Sequence, residues 1–537
     1  MPIYASQDLQ NWRLVSHAYS RIEQYPNITS TGIAVQFDGT WASTLRYNNG
    51  TFYIITAFVA VETFDPAILL FTTSDPFDDA AWANPIQIPN PAQGADPDIF
   101  FDLDNSVYVT VANGTGPWSI TQYKVDLKAV TSSEPKVIWD GNGEASPEGP
   151  HIYHRDGWYW LLIANGGTQL NHSIAMARSE TIDGTYVGYE GNPVLTNRGT
   201  DQYFQTVGHG DLFQDANGKW WGCALATRSG PAYLVYPMGR ETVLYPVTWD
   251  QGEYPVFQPV RGTMQGWELP VPVLDPPGDG PLANTSQALD FAPGDSLPKN
   301  FVTWRAQDEV QGNFVISPEG FENTLCLRPS RVNLTGDAAF VPGQEGQSFI
   351  ARKGQSHTLF NFTVDLVNYA PTQPGEEAGI TAFLTQTQHF DLGIVATASS
   401  NGSSGSITKV LRLRAEASGQ TAVSAPATVV RTVPASWEGA AIQLRVRTLN
   451  DTFYEFSAAS AASRGDDIVL GVGSAEILSG GAGKYTGTLL GVYATSNGGN
   501  GSTSAYFGRW RYEPIAQEIA EGEFVDFSSN NVGPHTQ

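Results

Sequence analysis

Asn49-Gly50-Thr51-Phe52-Tyr53-Ile54-Ile55 is a turn dipeptide running into an aromatic, β-branched strand. Asn-Gly favours a two-residue hairpin, because both central positions take φ above zero. The unit returns as Asp104-Asn105 before Val107-Tyr108-Val109, as Asp156-Gly157 before Trp158-Tyr159-Trp160, and as Asn217-Gly218 before Trp220-Trp221. The copies stand 55, 52 and 61 residues apart. A hairpin recurring at about fifty residues marks a β-propeller, with one four-stranded blade per repeat. A sandwich would space its turn signals more closely and less regularly. One period upstream of Gly50 falls just before Met1, so the repeat predicts a fifth blade that is incomplete in this chain.

Working outward, the pattern fills residues 1–267 and then stops. Residues 268–289 hold Pro270, Pro272, Pro276, Pro277 and Pro281 with Gly278 and Gly280, the composition of a stiff linker. From 290 to 513 the strands change character. Phe360-Asn361-Phe362-Thr363-Val364-Asp365-Leu366 and Ile442-Gln443-Leu444-Arg445-Val446-Arg447 alternate with period two, one face buried and one wet. Phe453-Tyr454-Glu455-Phe456 and Tyr506-Phe507-Gly508-Arg509-Trp510-Arg511-Tyr512 are aromatic-rich strands. Two such sheets stacked make a β-sandwich. Residues 514–537 read as a loose polar tail. The fold class is all-β throughout.

Acids outnumber bases 54 to 29, for a formal charge of -25. That sign argues against a nucleic-acid or anionic-membrane partner. No stretch of eighteen apolar residues exists to span a membrane. Cys223 and Cys326 are too few for a disulfide framework or a four-ligand zinc site and read as buried thiols. Ten N-x-S/T sequons, at Asn27, Asn49, Asn113, Asn171, Asn284, Asn333, Asn361, Asn401, Asn450 and Asn500, favour a secreted glycoprotein. The first residues carry neither a basic nor an apolar leader region, so secretion implies a signal peptide lost with a missing N-terminus.

No G-x-S-x-G elbow, P-loop or H-E-x-x-H is present, and the eight histidines show no metal-ligand spacing. What remains is carboxylates near turns beside aromatics. Aromatic faces stack on sugar rings, and two carboxyl groups can break a glycosidic bond. Three segments stand out: Gly94-Ala95-Asp96-Pro97-Asp98, Ser146-Pro147-Glu148-Gly149-Pro150-His151, and Thr206-Val207-Gly208-His209-Gly210-Asp211-Leu212, the last followed by Gly239-Arg240-Glu241-Thr242. Asp96 and Glu148 each precede a strand leading into a repeated hairpin, which puts them at equivalent places in adjacent blades near the axis. Each residue alone has a plainer reading. Asp96 before Pro97 suits a turn, Glu148 a solvated loop, His209 loop packing, and Arg240 a structural ion pair.

These residues resemble glycoside hydrolase family 43. Pro2-Ile3-Tyr4-x-Ser6-x-Asp8-Leu9-x-Asn11-Trp12, Trp41-Ala42-x-Thr44-Leu45-Arg46-Tyr47, the Asp96-Pro97 turn, Glu148-Gly149-Pro150-His151, Gly208-His209-Gly210-Asp211-Leu212 and Gly239-Arg240-Glu241-Thr242 follow the family's order over residues 1 to about 265. The second half resembles, more loosely, the concanavalin-A-like (jelly-roll) sandwich of the β-xylosidase and α-L-arabinofuranosidase branches, through Trp304, Ala378-Gly379 and Trp510-Arg511-Tyr512. The resemblance implies a five-bladed propeller and an inverting exo-acting hydrolase that removes β-xylosyl or α-L-arabinofuranosyl residues from plant cell-wall glycans. In that scheme Glu148 is the proton donor and Asp96 raises its pKa and orients it. Trp41 floors the sugar subsite and Arg240 holds sugar hydroxyls. His209 orders a water or structural cation, with no catalytic metal or other cofactor required. The family's general base, an aspartate in a Pro-Asp-Pro turn upstream of the Pro-Ile-Tyr segment, has no counterpart in the sequence; Asp38 near Trp41 is a poor substitute. Ser43 stands where relatives usually carry proline.

Two other functions compete. A non-catalytic glycan-binding propeller would explain the missing base. A retaining fructosidase also joins propeller to sandwich, but it would need an Arg-Asp-Pro turn and a Glu-Cys acid where this chain has Ala95-Asp96-Pro97 and Glu148-Gly149.

Overall fold

A computed structural model describes residues 1–25, 38–60, 63–304, 314–336, 346–399, 407–462 and 467–527. Among these, all regular structure is strand apart from short 3-10 turns. Among the described residues no helix is long and apolar enough to cross a membrane.

Each repeated hairpin joins the first two strands of a separate antiparallel sheet, and each sheet follows chain order from its first strand outward. The first blade runs Gly39–Asn48, Thr51–Val59, Ala67–Thr73 and Ile86–Ile88. The second begins Ala95–Phe101, Val107–Asn113 and Ser119–Asp126, whose far edge is shared by Thr131–Ser132 and Lys136–Trp139. The third is Glu148–Arg155, Trp158–Asn165, Ser173–Ser179 and Val187–Gly188. The fourth is Phe204–Gln214, Trp220–Arg228, Arg240–Thr248 and Val256–Phe257. Asn49-Gly50 and Asp156-Gly157 hold positive φ at both positions, as their hairpins demand. Pro2–Ala5 and Arg13–His17 form a further two-stranded sheet. Apolar side chains such as Ile55, Val109, Leu162 and Tyr245 fill the spaces between neighbouring blades.

The four first strands lie together at the centre, and a buried charge network joins them. Arg46 of the first blade reaches Asp98 of the second at 2.8 Å and Asp211 of the fourth at 2.6 Å. It also reaches Nδ1 of His151 in the third blade, at 2.9 Å. Tyr153, also of the third, donates to Asp211 at 2.5 Å. Asp98 accepts the Ile152 amide at 2.9 Å. Burial alone would raise the Asp211 carboxyl, but the Arg46 charge, His151 and donated hydrogen bonds hold it well below the usual carboxylate range.

The residues after 267 do more than space two domains. Pro276 and Gly280 carbonyls accept from the Arg13 guanidinium at 2.7 Å each. The Leu14 amide donates to Pro281 O, and the Ala283 amide to Trp12 O. This segment therefore lies along Arg13–His17 as an additional edge. Gln287–Leu289 already pairs with Trp510–Tyr512 of the sandwich.

The second half is two antiparallel sheets face to face. One centres on Ala505–Ala520, Leu359–Val367 and Ile442–Thr448, the other on Leu489–Thr495, Glu377–Thr385 and Gln388–Ala398. Phe360, Phe362, Val364, Leu444 and Trp510 face Ile380, Leu392, Ile394 and Val492 across one core. Two expectations need correcting. Leu359–Val367 is covered on both faces, since Thr363 and Asp365 are also buried, Asp365 beside Gln443 and Arg509. The residues after 513 are not a loose tail as far as they are described. The last sandwich strand continues to Ala520 and turns back as Glu523–Asp526. Residues 528–537 lie outside the described residues.

Candidate active site

The four central strands share an irregularity at one level. Register shifts fall between Trp41 and Thr44, between Ala95 and Asp98, between Glu148 and His151, and on both sides of Gly208. Each carries left-handed residues: Ala42, Asp96, Gly149, and Thr206 with His209. A bulge inserts a residue and re-aims the side chains around it. Here it breaks strict alternation, so Asp96, Glu148 and His209 converge while Asp98, His151 and Asp211, only two or three residues on, lock the blades together beneath them.

Glu148 opens the third blade, with 19% of its side chain exposed. Burial and then the negative charge of Asp96 raise its pKa to about 8, against an opposing pull from Arg240. It is therefore a protonated acid at neutral pH. His209 of the fourth blade lies over Gly149: a Cβ at that position would come within 2.6 Å of the imidazole. Burial lowers the pKa of His209, and Asp96 opposes that shift. Arg240 opens the third strand of the fourth blade. It donates to Thr168 Oγ1 at 3.0 Å and sits 5.0 Å from the ring centroid of Tyr485. Its buried Nε has no hydrogen-bond partner among the described residues. Trp41, half-buried at the start of the first blade, packs edge-to-face on Phe64.

The structure thus brings Asp96, Glu148, His209 and Arg240 into one electrostatic group. It also adds residues that the sequence did not flag. His172, just before Ser173–Ser179, is wholly buried with Nε2 3.7 Å from Glu148 Oε1. Tyr485 arrives from the sandwich, where Thr486–Gly487 press on Met238–Gly239; a Cβ on Gly239 would lie 2.1 Å from Thr486 O. No local motif surrounds either residue, since both reach the site through long-range packing. Glu148, His172 and His209 each offer one ligand atom within 4.8 Å of the others.

Comparison with known proteins agrees with this arrangement. The model of glycosyl hydrolases family 43 matches residues 1–255, and that of the beta xylosidase C-terminal concanavalin A-like domain matches residues 313–513. A xylosidase/arabinosidase of Butyrivibrio fibrisolvens is 30% identical over 410 residues, covering 74% of this chain and 73% of that protein. The chain belongs to glycosyl hydrolase family 43. It is an O-glycosyl hydrolase acting on carbohydrate, and the family match stands against a binding-only propeller. Another member, the non-reducing end alpha-L-arabinofuranosidase BoGH43B of Bacteroides ovatus, is 29% identical over 516 residues, which is 94% of this chain and 87% of that one. The solved structure of the Bacteroides ovatus Xyloglucan PUL GH43B superposes with a TM-score of 0.77 at 26% identity, covering 96% of this chain and 93% of that one. The alignment of both halves with a single known chain places propeller and sandwich in the arrangement of this family's members.

Proposed function

We propose that the chain is an inverting exo-glycosidase that removes β-xylosyl or α-L-arabinofuranosyl units from plant cell-wall glycans. The observation carrying the reading is Glu148: a largely buried carboxyl held protonated to about pH 8 beside Asp96, at the converging ends of the blades. Glu148 donates its proton to the leaving oxygen. Asp96 keeps that proton on at working pH. The guanidinium of Arg240, a partly exposed side chain, binds a sugar hydroxyl, and the exposed part of Trp41 floors the ring. His209 orders a water, or a structural cation, under the sugar, and no cofactor enters the reaction. The names of relatives, xylosidase/arabinosidase and arabinofuranosidase, support the two sugars.

The sheet of Pro2–Ala5 and Arg13–His17 is the outer part of a fifth blade in this reading, and the sandwich is of the jelly-roll kind. Of the ten sequon asparagines, Asn27 and Asn401 lie outside the described residues and none of the other eight is buried, which supports a secreted glycoprotein.

Hydrolysis of p-nitrophenyl β-xyloside and α-L-arabinofuranoside, each with and without azide, tests the reading. Azide stands in for a base-activated water, and the sequence offers no Pro-Asp-Pro turn to supply that base. Turnover is expected in at least one arm, with Glu148→Gln slower by about 10²–10⁴-fold. Absence of turnover in every arm, with oligosaccharide binding retained, would overturn the enzyme reading.

A further inference from the structure

His172 has a tautomer fixed by its surroundings. Its Nδ1 lies 2.9 Å from the carbonyl oxygen of Thr206. A carbonyl only accepts, so Nδ1 carries the hydrogen and Nε2 is left as a bare lone pair. Burial first, then the charges of His209 and Arg240, lower the His172 pKa to about 3, and the ring stays neutral. Nε2 has no hydrogen-bond partner among the described residues, although the side chain is entirely buried. An orphaned buried acceptor is costly unless something donates to it in the working state. The group facing it is Glu148 Oε1, at 3.7 Å, on a carboxyl that keeps its proton.

The backbone is shaped to hold this ring in place. Thr206, a β-branched residue, takes φ 57° in the bulged strand and turns its carbonyl toward His172. Gly208 leaves room for the ring, since a Cβ there would stand 2.5 Å from it. The packing is reciprocal. His172 of the third blade lies on Gly208 of the fourth, and His209 of the fourth lies on Gly149 of the third. Neither ring moves without displacing a strand that carries the other.

We propose that His172 is a positioning residue for the proton donor: its bare Nε2 accepts a hydrogen bond from the protonated Glu148 carboxyl, holding the acid neutral and in one orientation until a glycosidic oxygen takes the proton. The idea rests on Glu148 being the acid. The other charged or titratable groups facing Glu148 are Asp96 from the second blade and His209 and Arg240 from the fourth. Asp96 favours the protonated form and Arg240 opposes it. A neutral acceptor on Oε1 adds a contribution that depends on direction as well as charge, because it stabilises the O–H form alone.

Two substitutions separate the nitrogens. In His172→Asn the amide keeps a donor for Thr206 O and loses the acceptor. In His172→Gln the amide oxygen reaches the Nε2 position and restores it. The pH at which the protonated-carboxyl infrared band of Glu148 disappears, identified as the band lost in Glu148→Gln, is expected to fall by about one pH unit in His172→Asn and to return in His172→Gln. This reading needs no turnover. In activity, His172→Asn should lose more on an alkyl glycoside, whose leaving group needs the proton, than on a dinitrophenyl glycoside, whose leaving group does not. If the Glu148 band titrates alike in wild type and His172→Asn, the proposal falls. Should neither variant fold, ¹⁵N NMR of His172 in the wild type decides: an Nε2 resonance that ignores the Glu148 titration refutes it. Glu148→Gln separates the two levels of failure. If it shows no leaving-group dependence, the acid assignment itself is wrong; if it shows that dependence and His172→Asn does not, only the role of His172 is lost.

Discussion

At the scale of single residues, the site trades stability for a proton. Glu148 has its pKa raised from 4.5 to about 8 in the fold. Below about pH 4.5 folded and unfolded chains both hold the proton and no penalty arises. Between pH 4.5 and 8 the unfolded chain ionises while the buried carboxyl does not, so the fold loses stability as pH rises, and above about 8 the loss is complete. Glu148→Gln removes the group that titrates. Urea unfolding should therefore show the variant matching wild type at pH 4 and exceeding it by about 1–3 kcal/mol at pH 9. A gap that closed with rising pH would contradict the raised pKa. Asp96→Asn tests the partner charge. Asn tolerates the left-handed backbone that Asp96 adopts, φ 52°, so the change should spare the fold. The alkaline limb of kcat/KM should move to lower pH by about one unit, measured over pH 4–10.

Elements explain what was legible in the sequence and what was not. The hairpin dipeptides were readable because each falls in the first hairpin of a blade; Asn49-Gly50 and Asp156-Gly157 meet the two-residue requirement, while Asp104-Asn105 and Asn217-Gly218 sit in longer loops where only Asn105 and Gly218 take positive φ. From equal offsets before those hairpins followed the convergence of Asp96 and Glu148. The bulges were not legible. Ala42, Asp96, Thr206 and His209 adopt left-handed backbone without being glycine, so nothing in residue type announces it. Arg46 and Asp98 passed as ordinary motif residues for the same reason: their role appears only when four strands meet. Arg46→Met would leave Asp98, with no exposed side-chain surface, and Asp211 buried without their cation. Removing one partner of such a network costs about 3–5 kcal/mol. Urea unfolding at pH 7 should show that loss. The loss should shrink toward pH 4, where Asp211, no longer held below the usual carboxylate range, takes up a proton in the variant. A loss independent of pH would mean that Arg46 matters through packing alone.

For the whole molecule, sandwich and propeller are parts of one site and one fold. Tyr485 of the sandwich lies over Arg240, and the Thr488 amide donates to Pro237 O at 2.8 Å. At the other end, the strand that outruns its expected limit at 513 returns to the propeller. Glu518 accepts from the Tyr203 hydroxyl at 2.6 Å, and its carbonyl accepts from the Arg228 guanidinium, which also grips Glu241 through two nitrogens at 3.0 Å each. Glu241 follows Arg240 directly, so this anchor holds the strand that presents Arg240 to the site. The same stretch ties down its own domain, as Gln517 accepts from the Thr358 amide and donates to Ser356 O. A chain cut after Glu513 loses these bonds, each worth about 1 kcal/mol net, and the burial of Ala516. It should be destabilised by about 3–5 kcal/mol in urea unfolding. Because Arg228 then loses its hold on the sandwich and keeps only propeller contacts such as Glu241 and the Phe204 ring, Arg240 should also lose its fixed position, raising KM more than it lowers kcat on an aryl glycoside. A truncated chain as stable as the full one, with KM unchanged, would show that the final strand neither secures the sandwich nor supports the site.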